Sequence, residues 1–300
     1  MNLLSSLDLS QKEIATLLDL SSRLKRSAAS PLSKSSPLLA LLFEKTSTRT
    51  RVSLEAAMHE LGGSCVYIDS HTSQISRGET IHDTARVLGS YVDIIAARVY
   101  KHSDIEDLAA AAGVPVINAL SDAEHPTQAL ADVYTIKQVF GKLKGLRIAF
   151  VGDIATNTAN SLMVTAAKTG MQVSLVGPDA CVPSRKYVDA ASKYSTVEVS
   201  DDMEDGLEGC DVVYTDTFVS MGEEAQASKR RKLFAPYQLN SKTLRFASDG
   251  ARVMHCLPAH RGEEITSEVL DGKSSIAWVQ AENKLHVGKA ILLYLLNKVS

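Results

Sequence analysis

The sequence predicts an α/β protein of two doubly wound parallel-sheet domains joined by linking helices. Three observations carry this expectation. Short apolar runs alternate with segments of helical period along almost the whole chain, which is the pattern of βα units. After a helix that opens on Pro126, the stretch Gly141-Lys142-Leu143-Lys144-Gly145 resets the chain into a fresh strand, so a second unit follows the first. Three hundred residues also exceed what one core usually organises, about 250 residues.

In the first half, strands are expected at 38–43, 65–69, 93–97 and 114–118. Helices fall between them at 49–61, 81–90 and 105–112, the first showing its period in Leu54, Ala57, Met58 and Leu61. The linking helix runs from Pro126 to about Phe140, with proline at the first helical position, where its missing N–H costs nothing. In the second half the strands are 147–151, 172–176, 197–199, 212–215 and 253–257. A last strand at 276–279 then precedes a helix over 282–299, apolar at Leu285, Ala290, Leu292, Leu293, Leu295 and Leu296. The domains are therefore expected at 1–136 and 137–283, with 284–300 a C-terminal helix able to pack back on the first. Residues 27–36 form a Ser/Pro-rich loop.

Composition narrows the function classes. With 45% hydrophobic and 22% charged residues the chain is an ordinary globular protein. A net charge of −3 with scattered basic residues leaves no electrostatic footprint for nucleic acid or an anionic membrane. No apolar stretch approaches the roughly 20 residues of a membrane span, and residues 1–11 lack a basic region followed by an apolar one. Cys65, Cys181, Cys210 and Cys256 are far apart and share no metal-ligand spacing, which points to free thiols in a reduced, cytoplasmic compartment.

The chemistry-bearing residues cluster at expected strand ends. Ser47-Thr48-Arg49-Thr50-Arg51 lies between the first strand and the first helix. Backbone N–H groups and the positive end of a helix dipole make such a turn an anion site, with phosphate the natural anion. The plainer reading is that Ser and Thr here are helix caps and the arginines are solvated. Arg98 follows the strand at 93–97. His125-Pro126-Thr127-Gln128 opens the linking helix, where Gln128 at the third position is also a candidate cap. Right-handed crossovers bring these strand ends together and make a pocket suited to a small dianion with a carbonyl. In the second half, Asp216 to Gly222 follows one strand and His255-Cys256-Leu257-Pro258 lies at the end of another. Neighbours on a strand face opposite ways, so His255 and Cys256 do not read as a nucleophilic dyad.

Taken in order, Phe-Glu-Lys-Thr-Ser-Thr-Arg-Thr-Arg (43–51), Arg98, His-Pro-Thr-Gln (125–128), Asp-Thr-Phe-Val-Ser-Met-Gly (216–222), His-Cys-Leu-Pro (255–258) and Ala-Glu-Asn-Lys (281–284) resemble the transcarbamylase family over nearly the whole chain. The Ser-Met-Gly segment resembles the ornithine-using branch rather than the aspartate-using one. The resemblance implies that Ser47, Thr48, Arg49 and Thr50 hold the phosphate of carbamoyl phosphate, with Gln74 reaching in from a neighbouring subunit. It implies that Arg98, His125 and Gln128 hold the carbamoyl end, joined by Lys284. It further implies that Asn157, Asp216, Ser220 and Met221 bind ornithine, and that Cys256 and Leu257 line the reacting centre. Arg98, His125, Asp216 and Cys256 would then be the catalytic set. A trimer, or an assembly of trimers with shared sites, and neither metal nor organic cofactor, are implied as well.

Three positions depart from the family pattern. Asp153-Ile154-Ala155-Thr156-Asn157 is one residue longer than the family's Asp-Gly-Asn-Asn, Phe218 stands where the ornithine-using members usually have Trp, and Lys284 stands where Arg is usual. The reaction implied is attack of the ornithine δ-amine on carbamoyl phosphate, giving citrulline and phosphate. A sibling enzyme acting on putrescine or N-acetylornithine, and a non-catalytic phosphate-binding paralogue, are the alternatives.

Overall fold

The computed structural model describes residues 1–26, 36–219 and 224–297. It forms two compact units, Met1–Tyr134 with Asn283–Ser300, and Thr135–Glu282. The first unit contains α1 (Gln11–Arg26), β1 (Leu38–Phe43), α2 (Thr48–Glu60), β2 (Ser64–Asp69), α3 (Ile81–Gly89), β3 (Ile94–Arg98), α4 (His102–Ala111) and β4 (Val116–Leu120). Helix α5 (Pro126–Phe140) carries the chain across the unit boundary. The second unit contains β5 (Arg147–Val151), α6 (Asn157–Lys168), β6 (Gln172–Val176), α7 (Arg185–Ala191), β7 (Val197–Ser200), α8 (Met203–Leu207), β8 (Val212–Thr215), α9 (Ala227–Phe234), β9 (Arg252–His255) and α10 (Ser267–Leu270). Helix α11 (Ala277–Asn297) crosses back.

Both sheets are parallel, in the order β2-β1-β3-β4 and β7-β6-β5-β8-β9. Each is covered by helices as βα units require, and the central strands are apolar because both faces are buried: every residue of β3 and β8 is. The first core gathers Ala40, Leu42, Ile95, Ala97 and Val116 with Ile105 and Leu108 of α4. The second gathers Ala149, Val151, Val176, Val213 and Val253 with Phe218 and Phe234.

Strand β4 runs two residues later than the expected 114–118, and β9 stops at His255 rather than 257, where the chain turns toward the cis Pro258. Two further elements depart more strongly. Helix α1 was not foreseen, although Ser10 and Glu13 form a capping box: Ser10 Oγ accepts from Glu13 N at 3.2 Å and Glu13 Oε2 accepts from Ser10 N at 3.0 Å. Its buried stripe is Ile14, Leu17, Leu18, Ser21 and Leu24. The strand expected at 276–279 is absent. Ser275 makes a single bridge to Val253, Ile276 N donates to Val253 O at 2.9 Å, and the chain turns helical at Ala277. Its buried face reads Ala277, Gln280, Lys284, Val287 and Ile291, and the polar residues in that stripe hide its helical period.

Another buried polar group of α11 ties three helices together. Lys289 Nζ, on a residue 3% exposed, donates to Glu60 Oε2 at 2.6 Å and to Leu24 O at 3.3 Å. Lys289→Met keeps most of the volume and removes both bonds, so stability falls by about 1–3 kcal/mol. Urea unfolding of parent and variant checks this; overlapping curves would mean the bonds contribute nothing net.

Candidate functional site

Each sheet reverses its strand order once. In the first, β2 lies on one side of β1 and β3 with β4 on the other, so the switch falls between β1 and β3. In the second, β6 and β7 lie on one side of β5 and β8 with β9 on the other, so it falls between β5 and β8. At such points the connections leave in opposite directions, and the carboxyl ends of the strands open into a ligand crevice.

At the first switch Phe43 pairs with Arg98, so the chain leaving β1 and the end of β3 emerge side by side. Ser47 caps α2, its Oγ accepting from Thr50 N at 3.3 Å. The plainer reading of Ser47 therefore holds, and Thr48, Arg49 and Thr50 form the first turn of α2, whose N–H groups and dipole end have the chemistry that attracts anions. Arg51 points elsewhere, onto the Tyr67 ring at 3.6 Å and to Glu55 at 2.9 Å. Arg98 is 6% exposed. After β4 the loop is braced from below: Ser121 Oγ accepts from Asn118 Nδ2 and Glu124 N, each at 3.2 Å. The fully buried Glu124 accepts from Ser6 N at 3.0 Å and from the Ser5 hydroxyl. The next residue is His125.

Gln128 does not cap α5. Its Oε1 accepts from Lys284 Nζ at 2.5 Å and its Nε2 donates to Asp132 Oδ1 at 2.8 Å. Lys284 is nearly buried, at 9% exposed, and brings a positive charge to the same loop. Burial first, then the charges of Lys284 and Arg98, hold the His125 imidazole well below the usual histidine range, so it is neutral. Lys45, which sequence reasoning left unassigned, is lowered by burial and by Arg98, with Asp122 and Glu44 opposing.

The lowered His125 pKa has a consequence for stability. Between that value and about 6.5 the unfolded chain binds a proton that the folded chain does not, so stability falls as pH drops through this window. In His125→Gln that contribution is gone, and the Tm loss between pH 7 and 5 becomes smaller. Parallel Tm curves for parent and variant would contradict a neutral buried imidazole.

At the second switch β5 is followed by Gly152, whose φ of +113° suits only glycine and where an added Cβ would meet the Phe218 ring at 3.1 Å. Thr156 then caps α6, accepting from Ala159 N at 3.3 Å, and Asn157 is the first helical residue. Asp216 follows β8. Its Oδ1 accepts from the Cys256 thiol at 2.9 Å and from Thr217 N at 2.7 Å. His255 has other partners: Leu257 N donates to its Nδ1 at 2.9 Å, so the ring proton sits on Nε2, which meets Glu264 Oε1 at 3.1 Å. Leu257 has a φ of +59° and precedes a cis Pro258. With both imidazole nitrogens committed, His255 does not activate the thiol. Among the described residues two groups have metal-ligand chemistry, Asp216 with His255 and Cys256, and His260 with Glu263 and Glu264.

Comparison with known proteins decides the family. The model of the aspartate/ornithine carbamoyltransferase carbamoyl-P binding domain matches residues 1–138, and that of the Asp/Orn binding domain matches residues 144–295. The chain belongs to the aspartate/ornithine carbamoyltransferase family. Among its relatives, the ornithine carbamoyltransferase of Bacillus subtilis (strain 168) is 45% identical over 99% of this chain and 94% of its own length. That of Pyrobaculum calidifontis is 50% identical over 87% of this chain and 86% of its own. The solved ornithine carbamoyltransferase of Pyrococcus furiosus superposes with a TM-score of 0.94 at 44% identity, covering 100% of this chain and 98% of that one.

Within this carbamoyltransferase fold, the residues expected at the carbamoyl phosphate end, Arg98, His125, Gln128 and Lys284, are linked by the hydrogen bond and charge effects above. Gln74 is exposed in a 3-10 turn after the edge strand β2. Ser220 and Met221 lie outside the described residues. Phe218, the family's usual Trp position, is 1% exposed and stacks on Phe234 with centroids 5.2 Å apart. Arg230 was not anticipated: its Nε donates to Phe218 O at 2.8 Å and its guanidinium pairs with Asp153, joining the loops after β5 and β8. Nothing in the run Lys229-Arg230-Arg231-Lys232 separates it from a solvated basic face. Glu264 was missed for the same reason.

Proposed function

We propose that the chain is an ornithine carbamoyltransferase, transferring the carbamoyl group of carbamoyl phosphate to the δ-amine of L-ornithine with release of citrulline and phosphate. The observation that carries this reading is the neutral, buried His125 beside the cationic Arg98 and Lys284 at the ends of β3 and β4. Cations hold a dianion, while a neutral imidazole donates one hydrogen bond to a carbonyl oxygen without titrating at working pH.

In this reading the α2 N-terminus, with Ser47, Thr48, Arg49 and Thr50, binds the phosphate. Arg98, His125 and the Thr50 hydroxyl donate to the oxyanion that forms when the amine attacks, each well-placed donor contributing roughly 3–4 kcal/mol. Gln128, held by Lys284, takes the carbamoyl end. Asn157, Asp216, Ser220 and Met221 hold ornithine, and Cys256 and Leu257 line the reacting centre. Asp216 and Cys256 orient the amine and ease loss of its proton, which at a pKa of about 10 is the main obstacle near neutral pH. The C–N bond forms, the C–O bond to phosphate breaks, and phosphate leaves with the bonding pair. Alignment of the two substrates supplies a further 7–11 kcal/mol or so.

The working form in this reading is a cytoplasmic homotrimer, or an assembly of trimers, with Gln74 completing a neighbour's site; its exposed place beside an edge strand supports this. Light scattering that returned a monomer would remove it. Several relatives are described simply as ornithine carbamoyltransferases and two as anabolic, which favours the citrulline-forming direction of arginine biosynthesis.

Lys284 offers a point charge where Arg would offer a planar fork. Lys284→Ala is expected to raise KM for carbamoyl phosphate about tenfold, since it frees Gln128 and removes a charge beside His125. Lys284→Arg should leave KM unchanged or lower it. Saturation curves that overlay the parent for both variants would remove Lys284 from the site.

Rates of phosphate release with ornithine, putrescine and N-acetylornithine as acceptors test the whole reading. Ornithine should exceed the others in kcat/KM by at least a hundredfold. Preference for another amine would make the chain a sibling enzyme, and no acceptor-dependent release would make it a phosphate-binding paralogue.

A further inference from the structure

The turn after Pro258 folds tightly on itself. His260 N donates to Glu264 Oε1 at 2.5 Å, Glu263 N returns to His260 O at 2.9 Å, and Gly262 N donates to Ile265 O at 2.9 Å. One ligand atom each from His260, Glu263 and Glu264 consequently lies within 4.8 Å of the other two.

Glu264 is fully buried, and its two oxygens are treated differently. Oε1 is satisfied by His260 N and His255 Nε2. Oε2 is buried with no hydrogen-bond partner, and His260 Nδ1 stands 3.7 Å from it. Leaving a buried carboxylate oxygen without a donor is costly, and native structures answer it with a water, an ion or a charge partner. A separation of 3.7 Å is too long for a hydrogen bond. It matches two donors on one metal ion at bond lengths of about 2.0–2.2 Å.

We propose that His260 Nδ1, Glu264 Oε2 and the Glu263 carboxylate form a binding site for a divalent first-row transition-metal ion. One imidazole and two carboxylates, with no sulfur, select ions that accept nitrogen and oxygen ligands. Water completes the shell, because the His260 and Glu263 side chains are 48% and 29% exposed while Glu264 closes the site from beneath. Glu264 already holds His255, so Oε1 and Oε2 divide between a protein partner and the ion, as ligating carboxylates commonly do. Arg231 Nε lies 2.9 Å from Glu263 Oε2 and competes with the ion for that carboxylate. The ion takes no part in carbamoyl transfer; it bears on the site only through Glu264, His255 and the Leu257 N–H.

Manganese(II) is the probe, because it disfavours the thiol of the Asp216–His255–Cys256 group. Titrating the full chain into Mn²⁺ and following loss of the free-ion EPR signal should give one site per chain. His260→Ala changes an exposed side chain and Glu263→Gln a half-buried one, and each should weaken binding at least tenfold. Arg231→Ala should tighten it severalfold, and Cys256→Ser should leave it unchanged. Circular dichroism confirms that each variant is folded. The proposal is overturned by no binding at millimolar Mn²⁺, by unaltered binding in His260→Ala, or by loss of binding in Cys256→Ser, which would put the ion on the thiol group.

Discussion

Arg98→Met and Arg49→Ala are each expected to lower kcat/KM for carbamoyl phosphate by two decades or more. A hundredfold loss corresponds to about 2.7 kcal/mol of transition-state binding, the size of one or two charge-assisted hydrogen bonds to a dianion in a partly dry site. The variants are chosen by burial. Arg49 is half-buried on the first turn of α2, so truncation leaves little behind. Arg98 ends a strand whose every residue is buried, and methionine preserves its volume where alanine would open a cavity. Arg98→Lys should not restore activity, because a mobile ammonium cannot reproduce a planar fork. Near-parent kinetics in either Arg98→Met or Arg49→Ala, with melting unchanged, would refute the anion site.

The second large effect concerns Asp216. Its Oδ1 collects the Cys256 thiol and Thr217 N, and replacing the carboxylate by an amide removes the charge that draws a cationic amine. Asp216→Asn should raise KM for ornithine at least tenfold and lower kcat by about a hundredfold, leaving KM for carbamoyl phosphate within about twofold. Cys256→Ser keeps a donor toward Asp216 and should cost less. Equal changes in both KM values would take Asp216 off the amine side.

Much of this was legible in the sequence because parallel βα units write themselves as buried apolar runs followed by turns. Leu38–Phe43, Arg147–Val151 and Gln172–Val176 begin and end where their patterns do. Strand-end residues such as Arg98 and Asp216 could be placed on the same logic, because ligands gather at carboxyl ends. What stayed hidden depends on tertiary partners. Helix α11 buries Gln280, Asn283, Lys284 and Lys289, so its stripe mixes polar with apolar residues and its first turn resembles a strand. Gln128 occupies a capping position, and only the position of Lys284 in the fold shows that its amide is used otherwise. Arg230 and Glu264 act through residues 77 and 9 positions away, Asp153 and His255, separations that carry no local signal.

The proposed reaction bonds the carbonyl carbon of carbamoyl phosphate to the δ-nitrogen of ornithine on this chain. Carbamoyl phosphate labelled with ¹³C at its carbonyl, mixed with ornithine and catalytic enzyme and followed by ¹³C NMR, tests it directly. The label should move into the ureido carbon of citrulline, one equivalent per phosphate released, and Arg98→Met should slow this transfer by at least a hundredfold. Label that ends in bicarbonate or in another acceptor, with no ureido signal, would contradict it.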